Sequence, residues 1–402
     1  MAIFPKNFFW GAATSAHQVE GGNQNDWTEW EKATAKGKVQ MAKSKEWPDH
    51  ILREYPNPLQ EENYISGRTC DHYNRFREDF DIAKHLGHNA HRFSLEWSRI
   101  EPEEGKFNER EIERYREVIR ALRERGIEPF VTLWHWTIPL WLRDKGGIEN
   151  KHFPRYFLSY VEKILYALKN DVRFWITLNE PEIYALDSYM KGVWPPQKKS
   201  LISFLRVVRN LIKAHRLTYK QIHLLQQEAE VGIAKNNIYF EGVMAPIPNF
   251  LWNVYFLNKI HGAQDFIGLN YYFRGRGYSE KRSGGVVMSD MSWQVYPEGI
   301  YHVLKDLRRY KKPIYITENG IADVRDEKRA QFIKDHLEWV AKAIQEGVDV
   351  RGYFYWSLLD NFEWDKGFWP RFGLVEVDYP TLERKIRPSA YEYKKIIESN
   401  MP

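Results

Sequence analysis

The sequence is poor in cysteine and lacks a long apolar run. Cys70 is the only cysteine among 402 residues, which excludes an intrachain disulfide and a zinc site built from several thiolates. No stretch approaches the roughly 20 apolar residues that a membrane helix requires. The N-terminal segment MAIFPKNFFWGAATSA has neither the basic head nor the apolar stretch of a secretory signal. We therefore expect a soluble, cytoplasmic protein.

The sequence also lacks a large excess of charge of one sign. Lys and Arg number 59 and Asp and Glu number 54, which gives a net charge of +5. The two signs are interleaved, as in EREIERYREVIRALRER, a pattern typical of a solvated helix face. We expect neither nucleic acid nor a membrane as a partner, and the oligomeric state stays open.

Aromatic side chains are abundant. The chain has 16 Trp, 24 Tyr and 22 Phe, and these rings make up 15% of its residues. So many large rings indicate an extensive core or a platform for a flat ligand. Sugars are ligands of the second kind, because their C–H faces pack on aromatic rings.

Helical segments alternate with short apolar runs along the chain. Residues 76–86, 109–125 and 327–346 have apolar residues at helical spacing, end near a glycine and precede an apolar run. Eight runs are candidate strands, at residues 8–14, 89–95, 127–133, 172–178, 231–235, 266–270, 313–317 and 351–356. This alternation favours the α/β class. Eight units without an early GxGxxG turn favour a (β/α)8 barrel, also called a TIM barrel.

We expect one catalytic domain over residues 1–402, because α/β barrels run from roughly 200 to over 400 residues. Two stretches look irregular. Residues 31–70 are polar and contain three prolines, and we predict a long irregular loop there. Residues 238–264 contain two prolines and the apolar run FLWNVYFL, and their helix content stays open.

Polar side chains gather where the predicted strands end. In a barrel of this kind, active sites lie at the carboxyl ends of the strands. The residues found at or just beyond these ends are Gln18, Arg92, His135, Trp136, Asn179, Glu180, Asn270, Tyr272, Glu318, Trp356, Glu363 and Trp364. We predict that they converge on one face of the barrel.

Two of these residues are carboxylic acids that follow very apolar strands. Glu180 follows FWITL and Glu318 follows IYIT, and each has a neighbouring asparagine. A lone glutamate at a strand end is usually a cap or an ion-pair partner. Two at one barrel mouth indicate chemistry, because glycoside hydrolysis uses a pair of carboxyl groups that flank the bond. One must be protonated and the other ionised, so their environments must push their pKa values apart.

Seven motifs in order resemble the signatures of glycoside hydrolase family 1, the retaining β-glycosidases. They are FFWGAATSAHQVEG, RFSLEWSRI, TLWHW, TLNEP, DFIGLNYY, ITENG and YWSLLDNFEW. The match is collinear from about residue 4 to residue 394. It implies a retaining exo-β-glycosidase, first of all a β-glucosidase, that forms a covalent glycosyl-enzyme with a small β-glycoside or an oligosaccharide. It implies no cofactor and no metal.

The resemblance also implies individual catalytic roles. Glu180 would be the general acid/base and Glu318 the nucleophile. Arg92 and Tyr272 would hold Glu318 and keep it ionised. Asn179 would hold the sugar 2-hydroxyl, an interaction that strengthens in the transition state.

Further residues are implied as sugar contacts. They are Gln18, His135, Trp136, Asn270, Trp356, Glu363 and Trp364. Trp356 would form the floor under the sugar. For Trp136 and Asn270, packing or a supporting position is an open alternative.

Glu363 discriminates within the family. Relatives that cleave phosphosugars typically replace this Glu-Trp pair with a set containing Ser, Lys and Tyr. An anionic Glu363 would repel a 6-phosphate, so we predict unphosphorylated sugars, with glucose first and galactose or fucose close behind. Two alternatives stay open: a 6-phospho-β-glycosidase, and a catalytically silent sugar-binding barrel, which usually lacks one of the two glutamates.

The chain departs from the family pattern in three places. Glu182 stands after TLNEP, where many relatives carry Trp. Glu96 replaces a residue that is often small, and we predict that it pairs with a buried arginine. The chain is also shorter than usual, mainly at 238–264, and we predict that this flank of the barrel is more open or more mobile.

Overall fold

Eight parallel strands form a closed barrel in the computed structural model, which describes residues 4–275 and 287–400. The strands are β1 (Phe9–Ala13), β2 (Ala90–Ser94), β3 (Glu128–Thr132), β4 (Phe174–Asn179), β5 (Glu230–Asn236), β6 (Ile267–Asn270), β7 (Ile314–Asn319) and β8 (Val350–Trp356). Each pairs with its neighbours in chain order, and β8 pairs with β1. All eight predicted strands overlap these elements, so the predicted (β/α)8 barrel is confirmed.

Helices connect the strands. The longer ones are α1 (Asp26–Lys43), α2 (His72–His85), α3 (Glu109–Glu124), α4 (Phe153–Leu168), α5 (Leu201–Leu225), α6 (Pro297–Leu307), α7 (Arg329–Gln345) and α8 (Pro388–Asn400). Short α-helices span Ala16–Val19, Asp49–Leu52, Trp97–Ile100, Leu140–Asp144, Pro181–Ala185, Pro246–Asn249 and Tyr255–Ile260. No helix within the described ranges is both long and apolar enough to cross a membrane.

Short elements complete the chain. Single 3-10 turns span Glu61–Tyr64, Gly147–Glu149, Arg308–Tyr310 and Trp364–Lys366, and π-helical turns span Leu186–Met190 and Phe250–Val254. Two small sheets pair Tyr239–Phe240 with Arg274–Gly275 and Val375–Val377 with Arg384–Ile386.

Helix α3 shows how the sequence sets these elements. The side chain of Asn108 caps its first turn by accepting a hydrogen bond of 3.1 Å from the backbone N–H of Arg110. Ile119 and Leu122 are buried on the face that packs on the barrel. Gly126 follows the helix with φ +68°, a conformation that glycine adopts without strain. The chain then enters β3.

Aromatic rings fill the barrel interior. Phe9 and Phe174 are the first residues of β1 and β4, and Phe130 stacks on Phe174 with ring centroids 4.2 Å apart. Trp356, at the carboxyl end of β8, belongs to the same buried cluster. The rings close the barrel interior beneath the polar residues at the strand ends.

Residues 31–70 differ from the predicted long loop, because α1 continues to Lys43. The helix starts with a capping box. Asn25 accepts a bond of 3.0 Å from the backbone of Thr28, whose hydroxyl accepts one of 2.9 Å in return. The loop prediction is wrong for residues 31–43, because few apolar residues mark the buried face of this helix among many polar ones.

The stretch 238–264 is largely helical. A helix, a π-helical turn and a second helix follow one another over residues 246–260. Its helix content, which the sequence left open, is thereby settled. The greater openness or mobility of this flank stays a prediction.

Candidate active site

A cavity of about 440 Å³ opens where the strands end. Nine of the twelve predicted site residues line it: His135, Trp136, Asn179, Glu180, Tyr272, Glu318, Trp356, Glu363 and Trp364. The other three lie behind its wall, Arg92 against Glu318, Asn270 against Glu180 and Gln18 against Glu363. The structure thus brings all twelve residues together.

Glu318 is held by two groups, one on each carboxylate oxygen. Its side chain projects from the penultimate position of β7. Arg92, from β2, forms a buried ion pair with Oε1. The hydroxyl of Tyr272 donates a hydrogen bond of 2.6 Å to Oε2. Both contacts stabilise a negatively charged carboxylate.

Arg92 connects Glu318 to the neighbouring strand ends. Its Nη2 donates a hydrogen bond of 2.7 Å to Oδ1 of Asn179, and its Nε donates one of 3.1 Å to the hydroxyl of Thr132. Asn179 in turn donates from Nδ2 to Nε2 of His135 at 3.0 Å. Burial and then the charge of Arg92 lower the pKa of His135 well below its usual range. A neutral ring that accepts at Nε2 carries its proton on Nδ1, which has no hydrogen-bond partner among the described residues.

Glu180 lies in a different environment. It has φ +40° and immediately precedes the helix Pro181–Ala185. Its Oε1 accepts hydrogen bonds from the side-chain amides of Asn270 at 2.8 Å and Asn236 at 3.1 Å. Burial and then the charge of Glu318 raise the pKa of Glu180 to about 8, against the opposing effect of the two amides.

Glu363 is another carboxyl group of the cavity, and its side chain is partly exposed. Gln18 lies 3.4 Å from its Oε2, while the same amide donates hydrogen bonds of 2.9 Å to Asn361 and to the backbone of Phe362. Burial raises the pKa of Glu363 to about 8, and the charges of Asp365 and Glu318 add to the effect. A carboxyl group this close to neutrality can donate or accept hydrogen bonds.

Aromatic rings form one wall of the cavity. The ring of Trp364 lies nearly parallel to that of His135, at a centroid distance of 5.8 Å. The ring of Trp136 is tilted against that of Trp364, at a centroid distance of 4.6 Å. Trp356 also stacks on His135, at a centroid distance of 6.1 Å. Trp136 also donates from its indole nitrogen to the backbone oxygen of Asn179 at 3.0 Å. It therefore both lines the cavity and supports a site residue.

The sequence prediction missed Asn236. This residue ends β5, opposite Asn270 of β6, and donates to Glu180 as Asn270 does. The predicted fifth strand ends at residue 235, one position before Asn236. The strand-end rule that selected the other residues finds Asn236 once the strand is extended by one position.

Within residues 4–275 and 287–400, no arginine forms the predicted ion pair with Glu96. It accepts hydrogen bonds from the hydroxyls of Ser98 at 2.7 Å and Thr137 at 3.0 Å, and from the amide of Asn25 at 3.3 Å. Its backbone position at the start of the helix Trp97–Ile100 makes it a cap, which explains the correction.

Comparison with known proteins decides the family. The family model described as glycosyl hydrolase family 1 matches residues 1–245 and 256–402. The chain belongs to glycosyl hydrolase family 1. Its members hydrolyse O-glycosyl bonds, so the chain is an enzyme of this class.

Relatives of this family 1 chain match it over its whole length. It is 34% identical to 1,4-beta-D-glucan glucohydrolase of Thermotoga neapolitana, over 100% of this chain and 99% of that protein. The alignment extends over 458 positions, so gaps separate the two chains in places. The structure of beta-glycosidase from Pyrococcus horikoshii superposes with a TM-score of 0.87 at 39% identity, over 99% of this chain and 96% of that one. Beta-glucosidase from Thermotoga maritima, in complex with cyclophellitol, superposes with a TM-score of 0.87 at 32% identity and covers 100% of both chains.

Proposed function

We propose that this enzyme is a retaining exo-β-glycosidase of the β-glucosidase type, acting on unphosphorylated β-D-glycosides. One observation carries the proposal: two carboxyl groups of the same cavity lie in opposite environments. Burial and Glu318 raise the pKa of Glu180 to about 8, whereas Glu318 forms an ion pair with Arg92. The first group is suited to hold a proton and the second to hold a charge, as double displacement requires.

In the first step, Glu180 gives its proton to the glycosidic oxygen as the bond from that oxygen to C1 breaks. A carboxylate oxygen of Glu318 bonds to C1 from the opposite face. The aglycone leaves as an alcohol, and the sugar remains as an ester of Glu318.

In the second step, Glu180 is a carboxylate and acts as a base. It takes a proton from a water molecule whose oxygen bonds to C1, while the ester bond to Glu318 breaks. The sugar leaves with its original configuration, because two inversions at C1 cancel. Both glutamates then have their starting protonation states.

The rest of the cavity suits a single sugar unit. Asn179 and His135 offer polar groups to its hydroxyls, and Trp356 offers a ring face. The aromatic cluster that includes Trp356 fills the barrel beneath the cavity. A substrate can therefore enter with one chain end only, which supports exo action.

Glucose is the first choice of glycone, because several relatives are named as beta-glucosidases. Galactose and fucose come next, and a 6-phospho-β-glycosidase is the alternative function, since a 6-phospho-beta-galactosidase of Staphylococcus epidermidis is 30% identical. The presence of Glu363 favours an unphosphorylated sugar over a phosphosugar. One domain over the whole chain, a cytoplasmic location and independence of nucleic acid stay predictions.

A colour assay tests the proposed specificity. The purified protein is offered nitrophenyl β-glucoside, β-galactoside, β-fucoside and 6-phospho-β-glucoside at several concentrations. We expect the highest kcat/KM with the plain glucoside. Faster cleavage of the 6-phosphoglucoside would overturn the assignment, and no cleavage of any glycoside would favour a silent binding barrel.

The variant Glu318→Ala tests the nucleophile. We expect turnover to be lost, and added azide to restore part of it with release of the α-glycosyl azide, because azide then attacks C1 directly. Glu338→Ala, which removes an exposed carboxylate from α7, is the matched control and is expected to keep full activity. Unchanged turnover in Glu318→Ala would end the assignment.

A further inference from the structure

A buried ion pair lies next to Glu180. Glu182 stands two residues after Glu180, in the helix Pro181–Ala185, and Lys235 is the penultimate residue of β5. Oε1 of Glu182 is 3.2 Å from Nζ of Lys235, and the two side chains are 8% and 0% exposed. Neither is among the described residues that line the active-site cavity.

This ion pair is costly to bury. The carboxylate oxygens of Glu182 receive no well-aligned hydrogen bond from the described residues. The indole of Trp252, from the helical stretch 246–260, covers the ammonium of Lys235 at 5.5 Å. A buried pair with so few hydrogen bonds is at best weakly stabilising compared with an apolar pair of similar size. Its role therefore lies elsewhere than in stability.

The ion pair reaches Glu180 through one residue. Nζ of Lys235 donates a hydrogen bond of 2.7 Å to the backbone oxygen of Asn236. The side-chain amide of Asn236 donates to Oε1 of Glu180 at 3.1 Å. Lys235 thus fixes the residue that orients the carboxyl group of Glu180.

The ion pair also acts through charge. Burial lowers the pKa of Lys235, against the attraction of Glu182 and, more weakly, of Glu180. On its own, this ammonium would favour loss of the proton from Glu180. Glu182 supplies the compensating negative charge within the same buried region.

Other charged or titratable groups also face Glu180. They are Glu318, Arg92, Tyr272, Glu363 and His135, together with Lys235 and Glu182 themselves. Glu318, Tyr272, Glu363 and His135 line the cavity, and Arg92 lies behind its wall against Glu318. Lys235 and Glu182 are extra groups, placed behind it.

We propose that Glu182 and Lys235 are positioning residues: together they hold Asn236 against Glu180, and by cancelling each other's charge they leave no uncompensated positive charge behind Glu180. The inference rests on the proposed role of Glu180 as the general acid. Loss of Glu182 alone leaves the ammonium uncompensated, and Glu180 then releases its proton at lower pH. Loss of both charges removes the imbalance.

The test is the pH profile of kcat/KM for an alkyl β-glucoside, whose poor leaving group needs the acid. The basic limb of this profile is the fall in kcat/KM at high pH. We expect Glu182→Gln to shift this limb to a pH about one unit lower, the size of effect that one nearby charge has on a carboxyl group. The double variant Glu182→Gln/Lys235→Met should return the limb to its wild-type position. An unmoved limb in folded Glu182→Gln, or a limb that stays low in the double variant, would overturn the inference.

Lys235→Gln gives a second measurement should Glu182→Gln fail to fold. It leaves Glu182 without its partner, so the basic limb should stay in place or move up. A limb that moves down would contradict the inference. Asp79→Asn is the matched control, because it breaks another buried pair, with Arg384 at 2.9 Å, and should leave the limb in place.

The role of Glu180 itself is checked separately with Glu180→Gln. This variant should lose the basic limb altogether. A limb that persists in Glu180→Gln would overturn the proposed acid. A limb that Glu180→Gln abolishes and Glu182→Gln leaves in place would overturn only the inference about the ion pair.

Discussion

The hydroxyl of Tyr272 donates a hydrogen bond of 2.6 Å to Oε2 of Glu318, the carboxylate oxygen opposite the one that Arg92 holds. The two contacts leave the carboxylate with a fixed orientation. They also compensate its charge from both sides, so each oxygen has its own partner.

Tyr272→Phe should slow formation of the glycosyl-enzyme, because it removes one of these two partners without changing the ring. A hydrogen bond to a charged group contributes about 1.5–3 kcal/mol, so we expect a loss of roughly ten- to a hundredfold in kcat/KM. The rate of inactivation by a 2-deoxy-2-fluoro-β-glucoside, which traps the intermediate, measures the step directly. A variant that folds normally and keeps the wild-type inactivation rate would contradict the contact's role.

The raised pKa of Glu180 predicts the high-pH side of the activity profile. Burial and Glu318 raise this pKa to about 8, and the acid must be protonated in the free enzyme. Activity on glycosides with poor leaving groups should therefore fall as the pH rises through about 8.

Glu180→Gln tests this assignment with two substrates. Acid assistance contributes roughly 10²- to 10⁴-fold, so an alkyl glucoside should lose about that factor. A dinitrophenyl glucoside, whose leaving group needs little protonation, should be cleaved at nearly the wild-type rate in the first step. Equal losses on both substrates would argue against a role as the acid.

Glu363 predicts a pH-dependent preference against phosphosugars. Burial raises its pKa to about 8, with added repulsion from Asp365 and Glu318, so its negative charge develops as the pH rises through that value. The ratio of kcat/KM for the glucoside to that for the 6-phosphoglucoside should increase between pH 7 and pH 9. Effects of Glu180 cancel in this ratio, because both substrates need the same acid. A ratio that stays constant in wild type would show that Glu363 does not sense the 6-position.

The buried ion pair of Asp360 and Arg387 predicts the acid stability of the fold. Arg387 donates two hydrogen bonds, of 2.8 and 2.9 Å, to the two carboxylate oxygens of Asp360. Burial alone would raise the pKa of Asp360, but Arg387 and then Arg371 outweigh it and lower the pKa below 3.8. Because the pKa of Asp360 is lower in the folded state, its ionised carboxylate stabilises the fold at pH values above the unfolded-state pKa. This contribution to the free energy of unfolding is lost as the pH falls through the folded-state pKa.

Asp360→Asn should therefore lower the free energy of unfolding by about 3–5 kcal/mol at pH 7, because it leaves a buried arginine uncompensated. The difference from wild type should shrink below about pH 4, where wild type loses the same share. Guanidinium chloride unfolding across pH measures both. Asp349→Asn, which breaks an exposed pair with Arg351, is the control and should cost less than about 1 kcal/mol.

The sequence predicted the barrel well because each buried strand is a short apolar run, and β2, β3 and β8 each follow a helix that ends at a glycine. Strand-end polarity then selected the cavity residues, including Glu180 and Glu318. The pattern failed at α1, whose buried face is carried by few residues, such as Trp27 and Ala35, among many charged ones. Helical periodicity is weak in such a segment.

The other differences concern partners in space. The sequence around Glu96 does not distinguish an ion pair with an arginine from a helix cap. The hydroxyl of Thr137, which donates a hydrogen bond to Glu96, lies 41 residues away along the chain. Asn236 and Lys235 reach Glu180 because β5 lies beside β4 in the barrel. Such contacts depend on the register between strands, which hydrophobic alternation alone does not fix.

The tryptophans at the cavity mouth have an optical consequence. Trp364 lies 4.6 Å from Trp27 and 4.6 Å from Trp136, and Trp136 lies 4.6 Å from Trp194, as measured between ring centroids. Indoles this close couple their electronic transitions, so the group should produce a strong near-ultraviolet circular dichroism signal. Because Trp136 and Trp364 also line the cavity, a sugar entering it changes the surroundings of the coupled rings. The enzyme thus contains its own fluorescent reporter of occupancy, and ligand affinity becomes measurable in the unlabelled protein without turnover.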